Sequence, residues 1–191
     1  MSVFQAVVLG FIVLAGLYGI LIYNSLVQVK HNISKAWANI EVLLRQRHDE
    51  LPKLVETCKQ YRQFEAETLA RVTEARERVS SARERRNIPA LGVAEQTLRN
   101  GVGQLFAVAE AYPELQSNEN FMQLQSRITA LENGIADRRE WYNEAVNIYN
   151  VRINQFPDLL AAYLMDAQEL PLLKFSAAEK TDPGVQALGG D

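Results

Sequence analysis

Three features of this chain predict an all-α fold, an N-terminal transmembrane helix followed by an elongated antiparallel bundle of long helices. An uncharged apolar run opens the sequence, and apolar residues recur every three or four positions behind it. Turn residues are scarce, with 10 Gly and 6 Pro in 191 residues, too few for a many-stranded β protein.

The opening run, Val3 to Tyr23, carries no charge, and Gln5 is its only strongly polar side chain. As a helix it would reach roughly 31 Å, the thickness of a hydrocarbon core. A lone span must be helical, because lipid offers its backbone no hydrogen-bond partner. A cleaved signal peptide is the rival reading. It would want a basic start, a shorter apolar stretch and a small-x-small exit, none of which is present. Residues 1–23 are therefore read as a retained anchor. Lys30 and Lys35 follow the run, with Arg45 and Arg47 beyond, and no Lys or Arg precedes it. The positive-inside rule then leaves a short N-terminus outside and the C-terminal domain in the cytoplasm. Ala6/Gly10 and Ala15/Gly19 have the spacing at which two spans approach closely.

Residues 24–168 read as the bundle. Leu26, Val29, Ile33, Trp37, Ile40 and Leu44 make one stripe, continued by Leu51, Leu54, Cys58 and Tyr61 and then by Val72, Ala75 and Val79. No Gly lies between Gly19 and Gly92, so one helix is expected to run to about Arg86. Pro52 predicts a kink or short break near residues 48–52. Asn87-Ile88-Pro89 makes a turn. A second helix is expected over Ala90–Ala111, with Gly101 and Gly103 as points of close approach. A third runs from Ser117 or Asn118 as N-cap to about Phe156, with Phe121, Leu124, Ile128, Leu131, Ile135, Trp141, Ala145, Ile148 and Tyr149 in its apolar run. A short helix over Asp158–Ala167 follows Pro157, and residues 169–191 read as a flexible C-terminal tail.

The formal net charge of −3 argues against a nucleic-acid binder that relies on bulk positive charge. A single cysteine, Cys58, excludes an intrachain disulfide and a thiolate metal site. It lies on the apolar stripe and reads as a small buried hydrophobe. The only histidines, His31 and His48, lack the Glu-x-x-His and His-Glu-x-x-His settings of metal centres. Gly-x-Ser-x-Gly and Gly-rich phosphate loops are missing too. No catalytic, cofactor-binding or metal residues are assigned, and no small-molecule substrate is expected. Arg71, Arg76, Arg78, Arg83, Arg85 and Arg86 form either a solvated helix end or a basic tip for an anionic surface. Asn143, Asn147, Asn150 and Asn154 share a helix face, as a polar seam or a ligand site.

Tyr23-Asn24-Ser25-Leu26-Val27, Ala36-Trp37 with Ile40, Arg47-x-Asp49-x-Leu51-Pro52-x-Leu54-Val55 and Tyr61 resemble the first half of the bacterial LemA family. The stretch from Glu110 to Phe121 resembles the second half. So does Arg138-Arg139-x-x-Tyr142-Asn143-x-Ala145-Val146, continued through Tyr149-Asn150 to Phe156-Pro157. The resemblance covers about residues 20–160 in order. It implies a single-pass protein with a small external N-terminus and a long antiparallel helical domain. Some relatives are associated with building or organising intracellular membrane compartments. No catalytic residue carries over, and Cys58 and His48 stand where other residue types are expected. The resulting expectation is a non-enzymatic scaffold in the bacterial plasma (inner) membrane, partnered by the bilayer and by its own copies or another protein. An adaptor for a membrane protease or signalling complex is the second reading, and an unrecognised hydrolase or metal enzyme the third.

Overall fold

The computed structural model describes residues 2–61 and 64–175. Among them are six helices and no strand: α1 (Val3–Lys59), α2 (Ala66–Glu84), α3 (Ile88–Ala109), α4 (Pro113–Gln116), α5 (Glu119–Asn154) and α6 (Asp158–Leu164). They divide into two compact units, and α1 and α5 contribute to both.

The first unit takes residues 1–38 and 140–171. Leu26 and Ile33 of α1 are buried, as are Tyr142, Val146, Tyr149 and Ile153 of α5. Trp37 meets Tyr142 edge-on, with ring centroids 5.8 Å apart. Of the expected apolar run of α5, Tyr149 is buried, and Trp141 and Ile148 are not. Their neighbours Tyr142 and Tyr149 fill the core. Tyrosine can be buried because its hydroxyl finds a partner, as Tyr142 Oη does in donating to the Pro171 carbonyl at 3.3 Å.

The second unit takes, of the described residues, those within 39–139 and 172–175. Ile40, Leu44, Leu51, Leu54 and Cys58 of α1 are buried in it, together with Val72, Ala75 and Val79 of α2 and Leu91, Leu98, Val102 and Leu105 of α3. The one long helix expected to reach Arg86 is two helices, the first ending at Lys59 and the second starting at Ala66, with no break at 48–52. Tertiary anchors set these two ends. Tyr61 Oη donates to the Glu114 carbonyl at 3.3 Å and accepts from Asn118 Nδ2 at 3.2 Å. Phe64 is buried against Tyr112, with centroids 5.4 Å apart.

Pro52 lies inside α1, which continues for two further turns. A proline has no N–H to give the carbonyl four residues back, here that of His48. Arg76 of α2 supplies the missing donor, its Nε giving a hydrogen bond of 2.9 Å to the His48 carbonyl oxygen. A side chain from another helix thus replaces the rung that Pro52 removes.

The turn between α2 and α3 closes α2 with Arg86 in the left-handed region (φ 50°) and the Asn87 N–H on the Ala82 carbonyl at 3.0 Å. Asn87 then caps α3 by accepting from the Ala90 N–H at 3.1 Å, and Asn118 caps α5 by accepting from the Phe121 N–H at 3.1 Å. The connection at 112–117 contains the single turn of α4.

Close approach occurs at Gly92, and Gly103 meets nothing. A Cβ on Gly92 would sit 1.9 Å from the Lys174 carbonyl oxygen. The chain at 172–175 crosses α3 at this point, burying Leu173 and Phe175, and Arg139 stacks its guanidinium over the Phe175 ring at 4.4 Å. Gly101, by contrast, is in ordinary contact with Val72, at 3.5 Å from its Cγ2. Of the segment expected to form a flexible tail, residues 169–175 are described, and residues 176–191 lie outside the described residues.

The Pro52 arrangement predicts a coupled mutant cycle. Arg76→Met should cost about 1 kcal/mol, because a carbonyl loses its donor. In a Pro52→Ala background the cost should shrink, since the alanine N–H restores the helix rung. Thermal unfolding of the four proteins in one detergent measures the coupling.

Candidate functional site

The most concentrated chemistry in the second unit was missed in sequence. Arg47, only 2% exposed, donates through Nη2 to both carboxylate oxygens of Glu95, at 2.5 and 2.6 Å, and Glu95 is equally buried. Glu132 Oε1 lies 4.0 Å from Arg47 Nη1. Burial pushes the Glu132 carboxyl above its ordinary value and Glu95 adds to this, while Arg47 and Arg99 oppose it. A second buried carboxylate, Glu50, accepts from Arg127 at 2.6 Å and Lys53 at 3.3 Å. The signal for the Arg47 pair was in the spacing. Ile40, Leu44, Arg47, Leu51 and Leu54 follow a 4-3-4-3 pattern, so Arg47 occupies a stripe position, as Glu95 does between Leu91 and Leu98. A charge at a core position asks for a buried counter-charge. The pair is closed to solvent and ties α1 to α3, a structural role.

Next to it, His48 Nε2 lies 2.7 Å from Arg76 Nη2. A guanidinium only donates, so Nε2 accepts and the ring proton resides on Nδ1. Burial first, then the charges of Arg76 and Arg83, hold the His48 ring below the usual histidine value, against the opposing pull of Glu77 and Asp49. His31 is exposed on α1, so the two histidines do not share a site. Cys58 is fully buried, and burial pushes its thiol up to about 12. It is a core side chain with no thiolate at neutral pH.

The arginine-rich stretch is largely engaged within the second unit. Arg71 pairs with Glu67 and donates to Gln104, Arg78 pairs with Glu74 at 2.6 Å, and Arg76 serves His48. Arg85 and Arg86 at the turn are exposed. The asparagine row serves the first unit as a clamp. Asn150 donates to the Leu170 carbonyl and accepts from the Leu170 N–H, both at 2.9 Å, and Asn154 donates to Glu169 at 2.8 Å. Asn147 is exposed on the same helix.

The other feature is a surface in the first unit. Every residue from 2 to 21 is exposed, and this end of α1 is long and apolar enough to cross a membrane. Phe156, Leu160, Tyr163 and Leu164, at and within α6, are exposed as well. Among the described residues no cluster of three or more His, Cys, Asp or Glu is placed to hold a metal.

With this geometry in hand, the comparison with known sequences is decisive for family. The LemA family model matches residues 36–186. The chain belongs to the LemA family. Protein LemA of Metamycoplasma hominis is 24% identical over 160 residues, covering 83% of this chain and 72% of that protein. Magnetosome protein MamQ 2 of Paramagnetospirillum magneticum is 40% identical over 58 residues, 30% of this chain. Magnetosome protein MamQ of Magnetospirillum gryphiswaldense is 36% identical over 63 residues. These matches span 21% and 23% of the two MamQ proteins, so they relate one segment of the LemA-family chain to a part of each. The long, exposed apolar start of α1 is compatible with a membrane location.

Two outcomes follow from the buried groups. Glu95→Ala should cost about 3 kcal/mol by stranding the Arg47 charge, whereas the double change Arg47→Met with Glu95→Leu should cost much less, as read by chemical denaturation. The low His48 value means the fold favours the neutral ring. Its contribution is present above the unfolded value of about 6.5 and is lost as pH falls through the folded one. Between about pH 7 and 5 the native chain should therefore lose more stability than His48→Gln, with melting temperature against pH as the readout.

Proposed function

We propose that this LemA-family protein is a membrane-anchored helical scaffold that assembles with its own copies and organises the bacterial inner membrane. The observation that carries the reading is the wholly exposed apolar stretch at the start of α1, which in water would be a large unsatisfied surface. Placed in a bilayer, residues 3–23 become the span. Lys30 and Lys35, both exposed, then lie just beyond it and hold the folded units on the cytoplasmic side.

The helical units supply binding surface and no chemistry of their own. Buried Arg47 and Glu95 pair with each other, buried Glu50 is held by the exposed Arg127, and the thiol of Cys58 is inert. Relatives named as magnetosome proteins support a role in organising membranes. In cells overproducing the full chain, membranes should change shape. Cells overproducing a version without residues 1–23 should keep normal membranes, with the truncated protein in the soluble fraction. The detergent-solubilised full chain should run larger than one copy at raised concentration. A lone monomer at every concentration defeats self-assembly.

A further inference from the structure

The first unit has a second apolar feature beside the exposed run of α1. Residues 156–164, Phe-Pro-Asp-Leu-Leu-Ala-Ala-Tyr-Leu, carry one charge, and that charge is already spent. Asp158 accepts from Arg152 Nε at 2.5 Å, and Arg152 Nη1 donates to Ser25 Oγ at 2.9 Å. The segment is thereby fastened to α1 two residues past Tyr23. Toward the apolar run, Gly16 and Gly19 of α1 face Phe156, Leu160 and Leu164 across a groove of about 490 Å³. Ala161 and Ala162 turn inward, while Tyr163 and Leu164 stand 86% and 83% exposed.

We infer that Phe156–Leu164 is a membrane-inserted foot, a second bilayer contact that lies against the last turns of the span and seats lipid acyl chains in the groove between them. The inference rests on the reading of residues 3–23 as a span. Continuity decides the occupant. Residues 15–23 of α1, which form one wall of the groove, cover roughly 12 Å of helix axis inside the hydrocarbon layer. Whatever stands beside them shares that depth. The side chains of the segment that reach there are Phe156, Pro157, Leu160, Ala161 and Leu164, and Arg152 and Asp158 are paired at the level of Ser25, where headgroups begin. An apolar tip over a polar base at the edge of the hydrocarbon is the pattern of an interfacial element. The absence of any Lys or Arg within 156–164 argues against an electrostatic hold on headgroups and for burial among acyl chains. The two span glycines then serve the groove, leaving room that larger side chains would fill.

The test uses the full chain in vesicles of phosphatidylethanolamine and phosphatidylglycerol. In a Cys58→Ala background, an environment-sensitive fluorophore is attached to single cysteines at Leu160→Cys or Leu164→Cys, with Leu14→Cys and Val93→Cys as references. Labels at 160 and 164 should lose most of their emission to nitroxide-bearing lipids, as the label at 14 does, and resist aqueous iodide. The label at 93, exposed on α3, should do the reverse. Iodide quenching at 160 and 164 with lipid quenching at 14 overturns the foot and leaves the span intact. Protection from both quenchers at 160 and 164 shows that a second copy or another protein covers the face, and also overturns it. Loss of lipid quenching at 14 itself is the failure of the span reading.

Discussion

Arg47 and Glu95 are the constraint on which the second unit depends. Apolar stripes on neighbouring helices can pack in several alignments, because one leucine substitutes for another a turn away. An arginine at a stripe position has no such freedom. Its charge must meet a carboxylate wherever it is buried, and Glu95 meets it with both oxygens, at 2.5 and 2.6 Å. Any slipped alignment of α1 on α3 leaves two ions alone in an apolar setting, which costs several kcal/mol. Desolvation offsets most of the attraction between the two, so the pair sets register more than it adds stability. Glu132 at the edge of the pair feels the cost directly, as its raised affinity for a proton records.

The same economy explains the continuity of α1. Proline is a helix breaker on its own terms, and the sequence therefore predicts an interruption near residues 48–52. What the sequence does not display is that Arg76, in the next helix, points its Nε at the carbonyl that Pro52 leaves open. The actual break follows Lys59, at a stretch with no Gly or Pro, where Tyr61 and Phe64 are held by partners more than forty residues away. Local rules located the residue with the problem, and a tertiary contact solved it. The ends of α5 were legible because their causes are local, Asn118 capping its start and Pro157 following its end, whereas Asn87, read as part of a turn, proves to cap α3.

Legibility of the candidate sites divides along the same line. The apolar opening of α1 was readable because length and absence of charge suffice to define it. The inert character of Cys58 was readable from its place between Leu54 and Tyr61. On α5 beyond Ile135, Tyr149 was legible as part of the apolar run. Trp141 and Ile148 were misread as inward because they look more apolar than Tyr142, which is buried instead. Hydrogen bonding at Tyr142 makes the difference, and periodicity does not reveal a partner. The asparagines of α5 read equally as a polar seam or a ligand site. Asn150 and Asn154 hold the Leu170 backbone and the Glu169 side chain, in a stretch whose composition suggested no structure.

Cys58 has a use that follows from where it sits. With no accessible surface and a thiol held near 12, it cannot react with an alkylating reagent while the end of α1 is closed. Modification must wait for that end to open, and its rate under mild conditions then counts how often it does. The chain carries a built-in clock for local opening at the junction of α1 and α2, readable by mass alone in detergent, in vesicles or in a cell.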